Sequence, residues 1–202
     1  MPYILDKQGI EVEEIVIETN SANLTEEQFL NLCVENKHLR FERDKNKNII
    51  IMSPTFTETG NVNGDIFGEV WYWNKQNHLG YCFDSNTGYT LPNGAVRSPD
   101  VSWIVKDKYL NLSKAERKSF AHICPDFVIE LMSKSDSLKK LMEKMEEWME
   151  NGCRLAWLID PNTKSTHVYK PNMKPHEIPF TETLNGENVL PGFELKLSEI
   201  IT

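Results

Sequence analysis

The stretch "CPDFVIELMSKSDSLKKLMEKMEEWMENGCRLAWLID", residues 124–160, decides the fold. Its opening "FVIELM" is apolar on both faces of an extended chain, with Glu130 the exception. Its close, "RLAWLID", is apolar almost throughout. Between them Leu138, Leu141, Met142, Met145, Trp148 and Met149 recur at helical spacing and form one stripe. The spacing predicts a helix that starts at Ser135 or Ser137 and stops at Gly152. Strands that are apolar along their whole length are covered on both faces, and strand–helix–strand is the connection a parallel pair requires. A buried parallel pair follows, and with it an α/β class.

Outward from that unit, "RSPDVSWIV" (residues 97–105) reads as a further strand opened by a proline and a carboxylate, Asp100. "NLTEEQFLNLCVEN" (residues 23–36) carries Thr25 and Gln28 in capping-box spacing, with Phe29, Leu32 and Cys33 on one face. "LRFERDKNKNIIIMS" reads as strand, polar turn, strand. A longer helix runs from Glu58 to about Asn77, with Ile66, Val70, Trp73 and Phe67 as its stripe. "EVEEIVIE" (residues 11–18) fits an edge strand, and "THVYKP" and "GFELKL" fit later strands. No repeat, low-complexity tract or Gly/Ser linker breaks the chain, so residues 1–202 are expected to form one domain, a mixed β-sheet core flanked by helices.

Composition narrows the function. Hydrophobic residues at 40% and charged ones at 26% suit a globular protein. No apolar run reaches the roughly 20 residues of a membrane helix. The start lacks a basic segment followed by an apolar one, so a cytoplasmic location is expected. The four cysteines stand far apart without a CxxC pair and are expected as buried thiols. The five histidines show no zinc spacing. A net charge of −8 counts against a general nucleic-acid coat. Two mixed runs, residues 39–47 and 105–118, hold the clustered lysines and arginines best placed to touch a polyanion.

Glu130 is the anomaly. An ionised carboxylate inside a buried strand costs several kcal/mol unless it is paired or holds a cation. A hard cation such as Mg²⁺ asks for further oxygen ligands. Asp126 lies four residues away on the same strand, about 13 Å at ~3.3 Å per residue, too far to share an ion. Asp100 opens a different strand, and neighbouring strands lie about 4.8 Å apart. Asp100 is therefore either a turn residue that begins a strand or a ligand beside Glu130. Among the lysines of the following helix, Lys144 borders the apolar stripe one turn before Trp148, whereas Lys139 and Lys140 point outward.

The order "RSPDVSWI … CPDFVIELMSKSDSLKKLMEKMEEWMENGCRLAWLIDP … VLPGFELKL" resembles the Uma2 family of endonucleases. That family belongs to the PD-(D/E)XK restriction-endonuclease-like superfamily. The likeness runs from "IIIMSPT" and "ETGNVN" through "PNGAVRSPD" to "LPGF". It implies Asp100 as the PD aspartate, Glu130 as the strand acid, and the two as ligands of Mg²⁺ or Mn²⁺ with the Leu131 carbonyl. The superfamily's lysine two residues after that acid is replaced by Met132. The resemblance instead implies a lysine that has moved to the next helix, Lys144, as the third catalytic group. Glu58 in "TETG" matches another polar position, either auxiliary to the site or capping its helix.

The activity so implied is metal-dependent hydrolysis of DNA phosphodiesters, with DNA as partner and a homodimer as the form that cuts both strands. Lys106, Lys108 and Lys114 are the candidate phosphate contacts. Trp71, Tyr72, Trp73 and Tyr81 are read as core rather than as base-stacking surfaces. Met132 and the negative charge keep a second reading open: a catalytically silent nuclease fold that binds nucleic acid or a protein partner. Lys144→Ala is expected to abolish cleavage with metal binding and folding nearly intact.

Overall fold

In the computed structural model the described residues are 14–19, 24–134 and 136–201. They form β1 (Glu14–Ile17), α1 (Glu26–Glu35), β2 (Arg40–Arg43), β3 (Ile49–Met52), α2 (Thr57–Asn77) and β4 (Gly80–Asp84). Next come β5 (Tyr89–Thr90), β6 (Val96–Arg97), β7 (Val101–Val105), α3 (Lys106–Leu110), β8 (Ala121–His122) and β9 (Phe127–Leu131). The chain continues with α4 (Leu138–Glu150), β10 (Leu155–Asp160), β11 (Ser165–Tyr169), β12 (His176–Pro179), β13 (Leu184–Asn185) and β14 (Glu194–Leu195). The first half of "EVEEIVIE" and the candidate helix start Ser135 lie outside the described residues. Ser137 takes the N-cap position of α4.

The strands divide between two six-stranded sheets and a small two-stranded one. The larger strands make the sheet β12-β11-β10-β9-β7-β4, in which β9 and β10 run parallel and every other pair antiparallel. The parallel pair is the one that residues 124–160 predict, with α4 as its crossover. The second sheet, β1-β3-β2-β6-β5-β8, gathers short strands from the turn-rich segments. The α/β class with a mixed sheet core holds, and the second sheet is an addition to it. Three of its strands have two residues each, too few to show any alternation.

The β9–β10 sheet is buried on both faces, which is why its strands are apolar throughout. On one face Ile66, Val70 and Trp73 of α2 pack with Val101, Trp103, Phe127, Ile129 and Trp157. On the other, Met145 and Trp148 of α4 pack with Ile104, Val128, Ala156 and Leu158. The alternation along β9 therefore sends Phe127, Ile129 and Leu131 to α2, and Val128 and Glu130 to α4. Glu130 is thereby aimed at the helix that carries Lys144.

Local signals place the flanking pieces. Thr25 and Gln28 close the expected capping box at the start of α1. All four cysteines are free thiols, and burial pushes those of Cys33, Cys82, Cys124 and Cys153 up. Trp73 is core, but Trp71 and Tyr72 face outward at 45% and 59% exposure. The core reading fails for those two because the inward stripe of α2 is narrow and they fall beside it. Lys75 lies over the Trp71 ring instead.

Candidate active site

Strands β7 and β9 run side by side with Val101 opposite Ile129 and Ser102 opposite Val128. Continuing that register by one residue sets Asp100 beside Glu130, and such cross-strand pairs hold their Cβ atoms about 5 Å apart. Asp100 Oδ2 accepts the Leu131 N–H at 2.8 Å, which ties the mouth of one strand to the end of the other. At the far end of the same pair Asp126 does the same for Val105, accepting its N–H at 3.0 Å. The two Pro-Asp dipeptides are thus matching staples with different neighbours. Asp126 meets cations, Lys108 at 3.3 Å and Arg154 at 3.9 Å, and is structural. Asp100 meets a second carboxylate. It is a turn residue and a member of an acid pair at once.

From α4, Lys144 reaches both sides of the site. Its Nζ lies 2.9 Å from Glu130 Oε1 and 3.1 Å from Glu42 Oε1. Trp148, one turn on, donates its indole N–H to Glu130 Oε1 at 2.9 Å. Asp100, Glu130 and Lys144 are therefore brought together by three separate elements. Met132, where the superfamily carries its lysine, packs into the α4 side of the core. Glu58 stands 81% exposed, paired with Lys134 at 3.4 Å, and neither joins the acids nor caps α2.

Glu42 and Arg97 escape the sequence reading, and Arg40 enters it only as part of the basic run 39–47, with no tie to the acids. Glu42 on β2 is 2% exposed and is held by Lys144, by Arg97 at 2.9 Å and by the Ser98 N–H at 2.9 Å. Arg97 bridges Glu42 to Glu147 of α4, and Asn93 donates to Glu147 at 2.9 Å. Arg40 lines the cleft with Asp100, Glu130 and Lys144. The run "LRFERD" reads as a solvated strand because its polar face is taken for the wet one. That face looks instead at α4 and at the ends of β7 and β9 in the first sheet. The apolar–polar alternation, which puts Arg40 and Glu42 together, was the available signal.

The charges do not balance. Glu42, Glu130 and Glu147 are buried and Asp100 half-buried, four acids against the three cations Lys144, Arg97 and Arg40. Burial, together with the charges of Asp100 and Glu42, outweighs Lys144 and pushes Glu130 up to about 7. Burial also raises Asp100, against the Leu131 N–H, Lys144 and Arg40. Burial would raise Glu42 too, but Lys144 and Arg97 overcome it and hold that carboxyl at about 2. Lys144 stays charged because Glu130 and Glu42 outweigh its desolvation.

A site short of positive charge, built from hard oxygen donors, suits a divalent cation. Two adjacent carboxylates are the protein share that Mg²⁺ commonly takes, with water completing its shell. Among the described residues no group of three or more His, Cys, Asp or Glu side chains is placed to hold a metal, so a cation on Asp100 and Glu130 would keep water. Protons compete with that cation. Glu130 rises from 4.5 to about 7 in the fold, so its contribution to stability is complete below 4.5 and is lost as the pH climbs through 7. A bound cation reverses that loss. The rise in Tm on adding Mg²⁺ is accordingly expected to be larger at pH 8 than at pH 5.5, as thermal unfolding at the two pH values would show.

The fold is that of a nuclease-like protein. A crystal structure described as "a putative nuclease belonging to DUF820" from Anabaena variabilis ATCC 29413 superposes with a TM-score of 0.68 at 17% identity, covering 80% of this chain and 89% of that one. The sequence profile of the Uma2 family, described as "Putative restriction endonuclease", matches residues 26–198, and the chain belongs to that family. No curated protein matches the chain. Among the described residues no helix is long and apolar enough to cross a membrane.

Proposed function

We propose that this chain is a metal-dependent endonuclease that hydrolyses DNA phosphodiesters at the cleft holding Asp100, Glu130 and Lys144. The observation that carries the reading is the pair of buried Glu130 and half-buried Asp100, with Lys144 2.9 Å from Glu130, in a site left with excess negative charge. Asp100 and Glu130 would hold Mg²⁺ or Mn²⁺, which when bound acidifies water and polarises the scissile phosphate. Lys144 keeps a proton at Nζ and presents positive charge where the phosphate gains negative charge. Glu42 holds Lys144 from behind, so the amine is not drawn wholly onto Glu130. Trp148 fixes the Glu130 carboxylate by donating to its Oε1 and closes the site against the core.

The reading is tested by incubating supercoiled plasmid with the protein and Mg²⁺ or Mn²⁺. Nicking that stops on chelation supports it, whereas salt-sensitive binding without nicking selects a silent DNA-binding fold. Met132 does not favour the silent fold, because Lys144 brings its ammonium to the strand acid from α4. The same reading expects a homodimer. The edge strand β1, with Ile15, Val16 and Ile17 at 39–45% exposure, is a surface suited to pairing. Sedimentation equilibrium at micromolar concentration should give twice the mass of the 202-residue chain.

A further inference from the structure

We propose that Arg40 is the phosphate anchor of this cleft, gripping the non-bridging oxygens of a DNA phosphate beside Asp100 and Glu130. The inference rests on the nuclease reading above and adds the group that seats its substrate.

Arg40 opens β2, two residues before Glu42, so both side chains leave the same face of the strand. Glu42 takes hold of Lys144, and Arg40 lines the cleft of about 120 Å³ that contains the acid pair. Its guanidinium makes one hydrogen bond among the described residues, from Nη2 to the Ser85 carbonyl at 2.6 Å. That bond fixes the plane of the group and uses one of its five N–H donors. A planar fork with donors to spare matches two phosphate oxygens at once, which a lysine cannot do. The rest of the cleft wall is rich in hydroxyls, from Ser53, Thr55, Thr59, Ser98 and Ser133.

Arg40 also stands at a junction. The cleft shares Arg40, Met52 and Ser98 with an adjoining hollow of about 270 Å³, which Lys37 and Asn86 also line. A backbone leaving the acid pair in that direction passes Arg40 and then an exposed lysine. The other candidates are badly placed. Lys106 and Lys108 follow Val105, the end of β7 opposite Asp100, and Lys108 is held by the Cys124 carbonyl at 2.7 Å and by Asp126. Lys106 and Lys108 would therefore meet any phosphate away from the acid pair and not inside this cleft. On the far side of Lys144 the groove is lined by six acids against four bases and repels phosphate.

The test compares the wild type with Arg40→Ala, Arg40→Lys and, as control, Lys106→Ala. Cleavage and binding of a short fluorescent duplex are followed over a range of salt, with Mn²⁺ affinity and Tm measured alongside. Loss of charged hydrogen bonds should raise KM for Arg40→Ala roughly ten- to a hundredfold, with kcat much less affected. The slope of log affinity against log salt should shrink by about one. Arg40→Lys should fall between, and Lys106→Ala should match the wild type. Mn²⁺ should bind Arg40→Ala at least as tightly as the wild type, because a cation beside Asp100 has been removed. If the wild type cuts DNA and Arg40→Ala does so with the same KM and salt slope, Arg40 is not the anchor and the nuclease reading stands. If metal affinity and Tm fall along with cleavage, Arg40 is structural and the proposal is overturned. If the wild type neither binds nor cuts DNA, the nuclease reading fails and takes this one with it.

Discussion

Lys144→Ala is expected to lose at least about a hundred- to a thousandfold in DNA cleavage, the scale for removing one preorganised group that stabilises transition-state charge. The structure adds a second effect that the sequence alone does not suggest. Lys144 is the partner shared by Glu42 and Glu130, both buried. Removing one member of a buried ion pair leaves uncompensated charge and costs about 3–5 kcal/mol. The variant should therefore be clearly less stable than the wild type in chelator, contrary to the near-intact folding expected from sequence. Mg²⁺ should restore part of that loss, since it supplies charge to the same acids. Lys140→Ala, on an exposed side chain of the same helix, should leave cleavage near the wild-type rate. Cleavage assays on the folded variant in excess Mg²⁺, paired with thermal unfolding in EDTA, separate the two effects. A Lys144→Ala protein that cuts at the native rate would remove Lys144 from the chemistry.

Glu130→Gln should abolish metal-dependent cleavage at least as thoroughly, because the cation contributes several kcal/mol of charge stabilisation and this change removes one of its two carboxylate ligands. Its effect on stability should run the other way. At pH 8 the wild-type carboxylate is ionised despite a folded value near 7, against 4.5 in the open chain, so its charge opposes folding. A neutral amide of the same shape relieves that opposition, and Lys144 keeps Glu42 as partner. In EDTA at pH 8 the variant should melt at or above the wild-type temperature, by about 2–4 °C for each kcal/mol relieved. With Mg²⁺ present the order should reverse. Calorimetry in the two buffers reads both, and a variant less stable than the wild type in EDTA would show that Glu130 is a structural ion-pair partner.

Much of this arrangement was legible in the sequence. The apolar strands around α4 fixed their own pairing, because only a sheet covered on both faces has use for strands like "FVIEL" and "LAWLI". Spacing put Lys144 at the border of the α4 stripe and excluded Asp126, and the family resemblance pointed to Lys144 as the partner of Glu130. The supporting shell was not legible, for a physical reason. Glu42, Arg97 and Arg40 sit on short strands of the second sheet, and a polar residue on such a strand looks the same in sequence whether its face meets water or another sheet. Distance in the chain also concealed function. Arg97 and Glu147 are 50 residues apart and meet only because two sheets and a helix converge. Of the two basic runs, the one after "VSWIV" leaves the end of the strand away from Asp100, whereas the run 39–47 brings Arg40 to the cleft.

The nuclease reading stands or falls with Asp100 and Glu130 together holding a divalent cation beside Lys144. Isothermal titration of Mn²⁺ into the protein at pH 8 tests it most directly, with Asp100→Asn and Glu130→Gln titrated alongside. Saturable binding is expected in the wild type, weaker at pH 5.5, and its loss in both variants while each remains folded. Absence of binding in the wild type, or binding that both variants retain, would contradict it.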